Sequence, residues 1–294
     1  MTRTRIIAAL VMAPVAIAAI LFLPTQWLSA AVALVFLIGL WEWFKLAEID
    51  DTLSRTVLLI ANLMLMVLLL WASRTGSGLS PALFQIVVLA GVGWWFLSLL
   101  WLRFFNFASD HETYARVFKL AAGTLAVVPA WCALCLIHSD NFQTPAADSV
   151  DDLRGHLWLL AALVIVWAAD SGAYFAGRYF GGRLFGNRKL APRISPNKTI
   201  EGLLGGLLAG VAAGLLFAAF AGLTPPQVPA FIVVAVVTVL FSVVGDLFES
   251  LLKRHVGAKD SGTLIPGHGG FLDRLDGVLA ALPIFALGKE LFGF

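Results

Sequence analysis

Between Ser250 and Asp276 the chain reads SLLKRHVGAKDSGTLIPGHGGFLDRLD, which places Lys253, Arg254, Lys259, Asp260, His268, Asp273, Arg274 and Asp276 in one connection between two strongly apolar segments. Cations suit phosphate oxygens, carboxylates suit a hard divalent ion, and a paired glycine lets backbone approach a ligand. The composition therefore points to a phosphate-and-metal site. A solvated connection made basic for topological reasons would explain the cations alone. It leaves the carboxylates at the helix edges without a role.

Spacing sharpens this. Asp246, Glu249, Ser250 and Lys253 stand at i, i+3, i+4 and i+7, one face of a helix, and Asp273 and Asp276 are again i and i+3. Carboxylates from one helix end facing those of a neighbouring helix start offer oxygen ligands for Mg²⁺. Without a cation they repel each other, unless Lys253, Arg254 and Arg274 pair with them as ordinary salt bridges. A second cluster, GRYFGGRLFGNRKLAPRISPNKTIEG, carries Arg178, Arg183, Arg188, Lys189, Arg193 and Lys198. Its spacing predicts a helix start with Ser195 as N-cap and Pro196 in the first helical position. Lys198 and Thr199 then fall in the opening turn, where free N–H groups and the helix dipole favour an anion such as a polyphosphate. Asp170, in WAADSGAYFAGR, lies at the inner end of the preceding segment.

The elements that carry these residues follow from composition. Of 294 residues 60% are hydrophobic and 13% charged, with a mean hydropathy of +0.90, against about 25% charged in a typical soluble domain. This is the signature of an all-α, polytopic integral membrane protein. Spans of about 20 apolar residues are predicted at 6–23, 27–45, 56–73, 82–102, 116–138, 156–178, 199–222, 227–249 and 276–293, nine in all. With the amino terminus inside, only Arg74, Arg154 and Lys289 of the 20 lysines and arginines fall on the outer side, as retention of cations on the cytoplasmic side requires. The four last spans then bring Asp170, Glu201, Asp246, Glu249, Asp273 and Asp276 to one membrane boundary. Ionised groups so placed mark function.

The connection from Ser139 to Gly155 reads as a polar external loop and divides a front part, 1–150 with five spans, from a catalytic part, 151–294 with four spans and cytoplasmic loops 179–198 and 250–275. In the front part Glu42, between Trp41 and Trp43, is the one embedded carboxylate and reads as an interfacial group among aromatic anchors, ahead of a direct catalytic role. Pro14 and Pro129 are expected to bend their spans. Gly202, Gly206, Gly210 and Gly214 form a strip for close helix packing. Cys132 and Cys135 read as packing residues, and the first apolar run as a retained span rather than a cleaved signal. A net charge of +2 and the lack of a basic face exclude nucleic acid as a partner. A cation-coupled transporter is the rival from another class, but its site would sit near the midplane between repeats, and no repeat is seen.

The motif Ser250-x-x-Lys253-Arg254, Lys259-Asp260, His268-Gly269-Gly270 and Asp273-Arg274-x-Asp276 resembles the carboxy-terminal signature of the phosphatidate cytidylyltransferases. Asp170-Ser-Gly-Ala-Tyr174 with Gly177 and Arg178, and Ser195-Pro-Asn-Lys-Thr199 with Glu201 and Gly202, are similar to its bacterial members. The resemblance is strong over 156–282. It implies that CTP and phosphatidic acid give CDP-diacylglycerol and pyrophosphate with Mg²⁺, or that a related CTP-dependent transferase acts on another lipid acceptor. It implies Asp246, Lys253, Asp273 and Asp276 as catalytic residues, with Asp246, Asp273, Asp276 and Asp170 at the metal. Ser195, Lys198, Thr199, Ser250, Arg254, Lys259, His268, Gly269, Gly270 and Arg274 would bind substrate. A homodimer in a bacterial cytoplasmic (inner) membrane, its active site facing the cytoplasm, is likewise implied.

Overall fold

The computed structural model describes residues 2–76, 78–139, 150–186, 188–262 and 269–294, with side chains left out for 2–11 and 150–152. Nine α-helices run through the described residues: α1 Thr2–Phe22, α2 Thr25–Leu46, α3 Thr52–Ala72, α4 Ala82–Arg103, α5 Thr113–His138, α6 Val150–Phe180, α7 Ile200–Phe220, α8 Val228–His255 and α9 Asp276–Phe292. Two minimal antiparallel hairpins accompany them, β1 Arg74–Thr75 with β2 Gly78–Leu79, and β3 Lys189–Ala191 with β4 Ser195–Thr199. Helices α2 to α8 are long and apolar enough to cross a bilayer. α9 is shorter, at 17 residues, and its residues from Gly277 to Ala286 are all buried. It forms the axis on which α4, α5, α6 and α8 pack. α3 is the opposite case, with Leu53, Val57, Ile60, Met64, Leu68 and Trp71 exposed along its length, as a lipid-facing surface requires.

Each predicted span overlaps one of the nine helices, with ends that differ by up to six residues, as where α6 begins at Val150 rather than 156, and two differences bear on the site. α8 continues past 249 to His255, so Lys253 and Arg254 are helical rather than part of a loop starting at 250. The last turn carries Lys253, Arg254 and His255, cations that complement the carbonyl end of a helix. The second difference is a correction. Ser195 does not cap α7 but lies in β4, where it pairs with Ala191. The cap is Thr199, whose Oγ1 accepts the Gly202 N–H at 3.1 Å. A hydroxyl directly before Ile200 satisfies that free donor, and β4 pairing holds Pro196 and Lys198 extended. Pro14 and Pro129 lie inside continuous helices, and the Pro129 ring fills the space left by Gly91, where an added Cβ would meet it at 2.3 Å. The Ser139 to Gly155 loop falls largely on 140–149, outside the described residues.

Close helix contacts set the geometry of the back part. The predicted glycine strip of α7 lies against α6: a Cβ on Gly206 would come within 2.9 Å of the Ala169 carbonyl, and one on Gly210 within 3.0 Å of that of Ile165. Between α8 and α9 the approach is as close, because a Cβ on Gly245 would lie 2.2 Å from the Asp276 carbonyl oxygen. The rotation of α8 is fixed from the front part. Phe248, fully buried, stacks on Trp43 at 5.9 Å and meets Trp94, Trp95 and Trp101 edge-on at 5.6, 6.1 and 5.3 Å. Two residues round the helix, Asp246 is turned away from these rings. Cys132 and Cys135 are unpaired and buried in α5.

Candidate active site

A cavity of about 640 Å³ opens where α6, β4, α7, α8 and the start of α9 converge. Five carboxylates (Asp170, Asp246, Glu249, Asp273 and Asp276) and four cations (Arg178, Lys198, Lys253 and Arg274) line it, with Ser195, Thr199 and Tyr174. Five of the six acids expected at one boundary from separate spans, all but Glu201, are thus brought to a single space. α6 supplies Asp170 and Arg178, and β4 and the α7 cap supply Ser195, Lys198 and Thr199. α8 supplies Asp246, Glu249 and Lys253, and a 3-10 turn, Leu272–Arg274, delivers Asp273 just ahead of Asp276.

Lysines neutralise part of this charge. Lys198 forms an ion pair with Asp246. Lys253 bridges Glu249 at 2.8 Å and Asp273 at 2.6 Å, both carboxylates being almost wholly enclosed. Burial raises the Asp273 carboxyl's affinity for a proton. The hydrogen bond and charge of Lys253, with the backbone N–H groups of Gly270 and Ser261, outweigh that and hold it below the ordinary carboxylate range. Both its oxygens are engaged: Oδ1 takes Lys253, and Oδ2 accepts from Gly270 N at 2.8 Å and from Ser261 N and Oγ at 3.1 Å. Asp273 therefore ties the loop to α8. Among the described residues Oδ1 has Lys253 as its one hydrogen-bond donor, and its second lone pair is the one open to a metal ion.

Among the described residues no three His, Cys, Asp or Glu side chains stand together as a ready metal cluster. The donor set nonetheless suits a hard ion. Asp276 lies in electrostatic reach of Asp246 and Glu249, and Asp170 of Asp246. Oε1 of Glu249 is buried without a hydrogen-bond partner among the described residues. Glu249 was visible in the spacing but not counted as a site residue.

Other expected site residues stand apart. Ser250 donates weakly to Asp246 at 3.4 Å. Arg254 spends its guanidinium on the carbonyls of Ile194 at 3.2 Å and Ala258 at 3.3 Å, which fastens the β3–β4 turn to α8. Lys259 is exposed and, like Ser250 and Arg254, is not part of the cavity wall. His268 lies outside the described residues. Gly269 has a left-handed backbone (φ +87°), and a Cβ on Gly270 would sit 1.9 Å from Ser261 Oγ. The glycine pair is thus needed to close the loop on Asp273, Ser261 and Glu42.

Two acids were not read correctly from sequence. Glu201 takes no part in the cavity wall. Its Oε1 accepts backbone N–H groups from Gly182, Leu184 and Phe185 at 3.1, 3.3 and 3.1 Å, which shapes the connection after α6. Glu42 is not an interfacial group: it is 2% exposed, and its Oε2 accepts from Ser261 Oγ at 2.9 Å and Leu272 N at 2.8 Å. Their isolation in apolar sequence was the only available signal.

Comparison with known proteins places the chain in a family. The profile of the cytidylyltransferase family matches residues 3–292. A phosphatidate cytidylyltransferase of Haemophilus influenzae is 32% identical over 97% of this chain and 98% of its own length. One of Pseudomonas aeruginosa is 36% identical over 97% and 96%. One of Bacillus subtilis is 42% identical over a shorter stretch, 48% of this chain and 50% of its own.

Proposed function

The chain belongs to the cytidylyltransferase family, and from that premise we propose that it transfers the cytidylyl group of CTP to phosphatidic acid, giving CDP-diacylglycerol and pyrophosphate. The observation that carries the reading is the cavity's mixed lining, cations for phosphates beside carboxylates for a metal ion, at the end of a membrane-spanning bundle.

Two phosphorylated substrates repel each other, so the site must neutralise them and align them. Lys198, released from Asp246, and Arg274 face the polyphosphate, and the capped start of α7 at Thr199 presents its N–H groups to the same space. Arg178, which donates to the Tyr174 hydroxyl at 3.0 Å, stands on the rim formed by exposed Tyr174 and Phe175 and meets the lipid phosphate as it enters from the bilayer. That phosphate oxygen attacks the α-phosphorus of CTP and pyrophosphate departs. The dianion is already nucleophilic, so no general base is required. Asp246 and Asp276, with Asp170 beside them and Asp273 through Oδ1, would hold Mg²⁺. When bound, the ion withdraws charge from the α-phosphoryl and leaving oxygens. Lys253 holds Asp273 and Glu249 in place.

The distribution of cations supports a site facing the cytoplasm, and the bacterial relatives support a bacterial inner membrane. A homodimer is part of the proposal and is tested by its mass in detergent. The direct test supplies labelled CTP and phosphatidic acid to detergent-solubilised protein. Label is expected in the lipid phase with Mg²⁺ and is lost on chelation. Transfer to other lipid phosphates but not to phosphatidic acid would move the acceptor to a related transferase, and no transfer to any would refute the reading.

A further inference from the structure

The front part of the chain carries one acid into the back part's chemistry. Glu42, on α2, is enclosed at 2% exposure. Its Oε2 accepts from both limbs of the connection between α8 and α9, from Ser261 Oγ on one and Leu272 N on the other. The Ser261 hydroxyl stands between the two carboxylates, 2.9 Å from Glu42 Oε2 and 3.1 Å from Asp273 Oδ2, and Asp273 Oδ2 also accepts the backbone N–H groups of Ser261 and Gly270. The limbs approach so closely that only glycine fits beside the carboxylate. A Cβ on Gly262 would lie 2.2 Å from Glu42 Oε1, and one on Gly270 2.5 Å from Oε2. α2 is itself immobilised next door, where Trp43 donates to the Lys119 carbonyl at 2.8 Å and stacks on Phe248.

We infer that Glu42 is a positioning residue for the reaction: it clasps the two limbs of the α8–α9 connection so that Ser261 and Gly270 present Asp273 to Lys253 and the cavity. The inference rests on the proposed cytidylyl transfer for its catalytic part. Its structural part needs no substrate.

The experiment compares Glu42→Ala, Glu42→Gln and Ser261→Ala. Glu42→Ala is expected to lower kcat by about 100-fold, the cost of a displacement of roughly 1 Å at a reacting group, with KM for CTP changed by less than about tenfold, since Lys198 on β4 and the start of α7 keep their polyphosphate contacts although Arg274 moves with the loop. Glu42→Gln keeps an acceptor for Leu272 N and Ser261 Oγ, so it should restore kcat to within about tenfold of wild type. Ser261→Ala removes one of the two ties, falls between, and serves if Glu42→Ala does not assemble. Amide hydrogen exchange at 258–262 and 269–275 should quicken in Glu42→Ala while α7 stays protected. Wild-type kcat in Glu42→Ala, equal losses in the Ala and Gln variants, or lost turnover with unchanged exchange would each overturn the inference. A wild-type protein that transfers nothing from CTP sinks the proposed reaction instead, and the exchange comparison still decides whether Glu42 clasps the loop.

Discussion

Gly245 is the point at which helix packing and chemistry meet most directly. An alanine there would place its Cβ 2.2 Å from the Asp276 carbonyl oxygen and 3.0 Å from the Ala280 Cβ, and real Cβ atoms essentially never approach closer than 3.0 Å. The obstacle is backbone, so no side chain can swing aside, and α9 must retreat from α8 by roughly 1 Å. Asp276 is the residue struck, and its carboxylate moves with its carbonyl, away from Asp246. A misplacement of that size costs about 100-fold in rate, which corresponds to about 2.7 kcal/mol of barrier. The overpacking itself should cost about 1–3 kcal/mol of stability. The assay is incorporation of labelled CTP into phosphatidic acid, with thermal unfolding in detergent run alongside. Gly93→Ala is the control, since nothing lies within 4 Å of a Cβ added there, and it should behave as wild type. Gly277→Ala, whose Cβ would meet the Ser242 carbonyl at 3.3 Å, should fall between and covers the case in which Gly245→Ala does not assemble. Turnover within threefold of wild type in Gly245→Ala, at unchanged stability, would refute the claim that the α8–α9 approach sets the distance between the acids.

Two further outcomes follow from the acids that bind backbone. Glu201→Ala should free the N–H groups of Gly182, Leu184 and Phe185 and speed protease cleavage within 181–186 by about tenfold, with Glu201→Gln closer to wild type. Cleavage at the wild-type rate would show that the carboxylate does not shape that connection. Asp273 is held below the ordinary carboxylate range despite its burial, so its contribution to stability is full above about pH 4 and is lost as pH falls through the lower folded value. The thermal midpoint should therefore drop on the acid side of pH 4, and Asp273→Asn should flatten that part of the curve; an unaltered acid limb in the variant would contradict the assignment.

The spans were legible because hydrocarbon thickness demands long apolar runs, and nothing else in the chain imitates them. Helix ends were less so: α8 passes into its charged last turn, where Lys253, Arg254 and His255 look like loop in composition although they remain helical. The β3–β4 hairpin was missed because Ser195-Pro196 imitates a helix start and its pairing partner, Ala191, carries no strand signature. The convergence of Asp170, Asp246, Glu249, Asp273 and Asp276 was readable from span direction alone. The work of Glu42 and Glu201 was not, since each accepts from backbone N–H groups, which every residue type but proline offers, so no residue pattern marks their partners.

The order in which the parts appear during synthesis has a consequence of its own. Asp276 opens the last helix, whereas Glu42, Asp170 and Asp246 emerge earlier. A ribosome stalled before α9 would leave a chain threaded through the bilayer without the acid that faces Asp246 and without the axis on which α4, α5, α6 and α8 rest. The catalyst is thus armed only once α9 is in place, and products truncated before it should be inert toward the nucleotide pool rather than partly active.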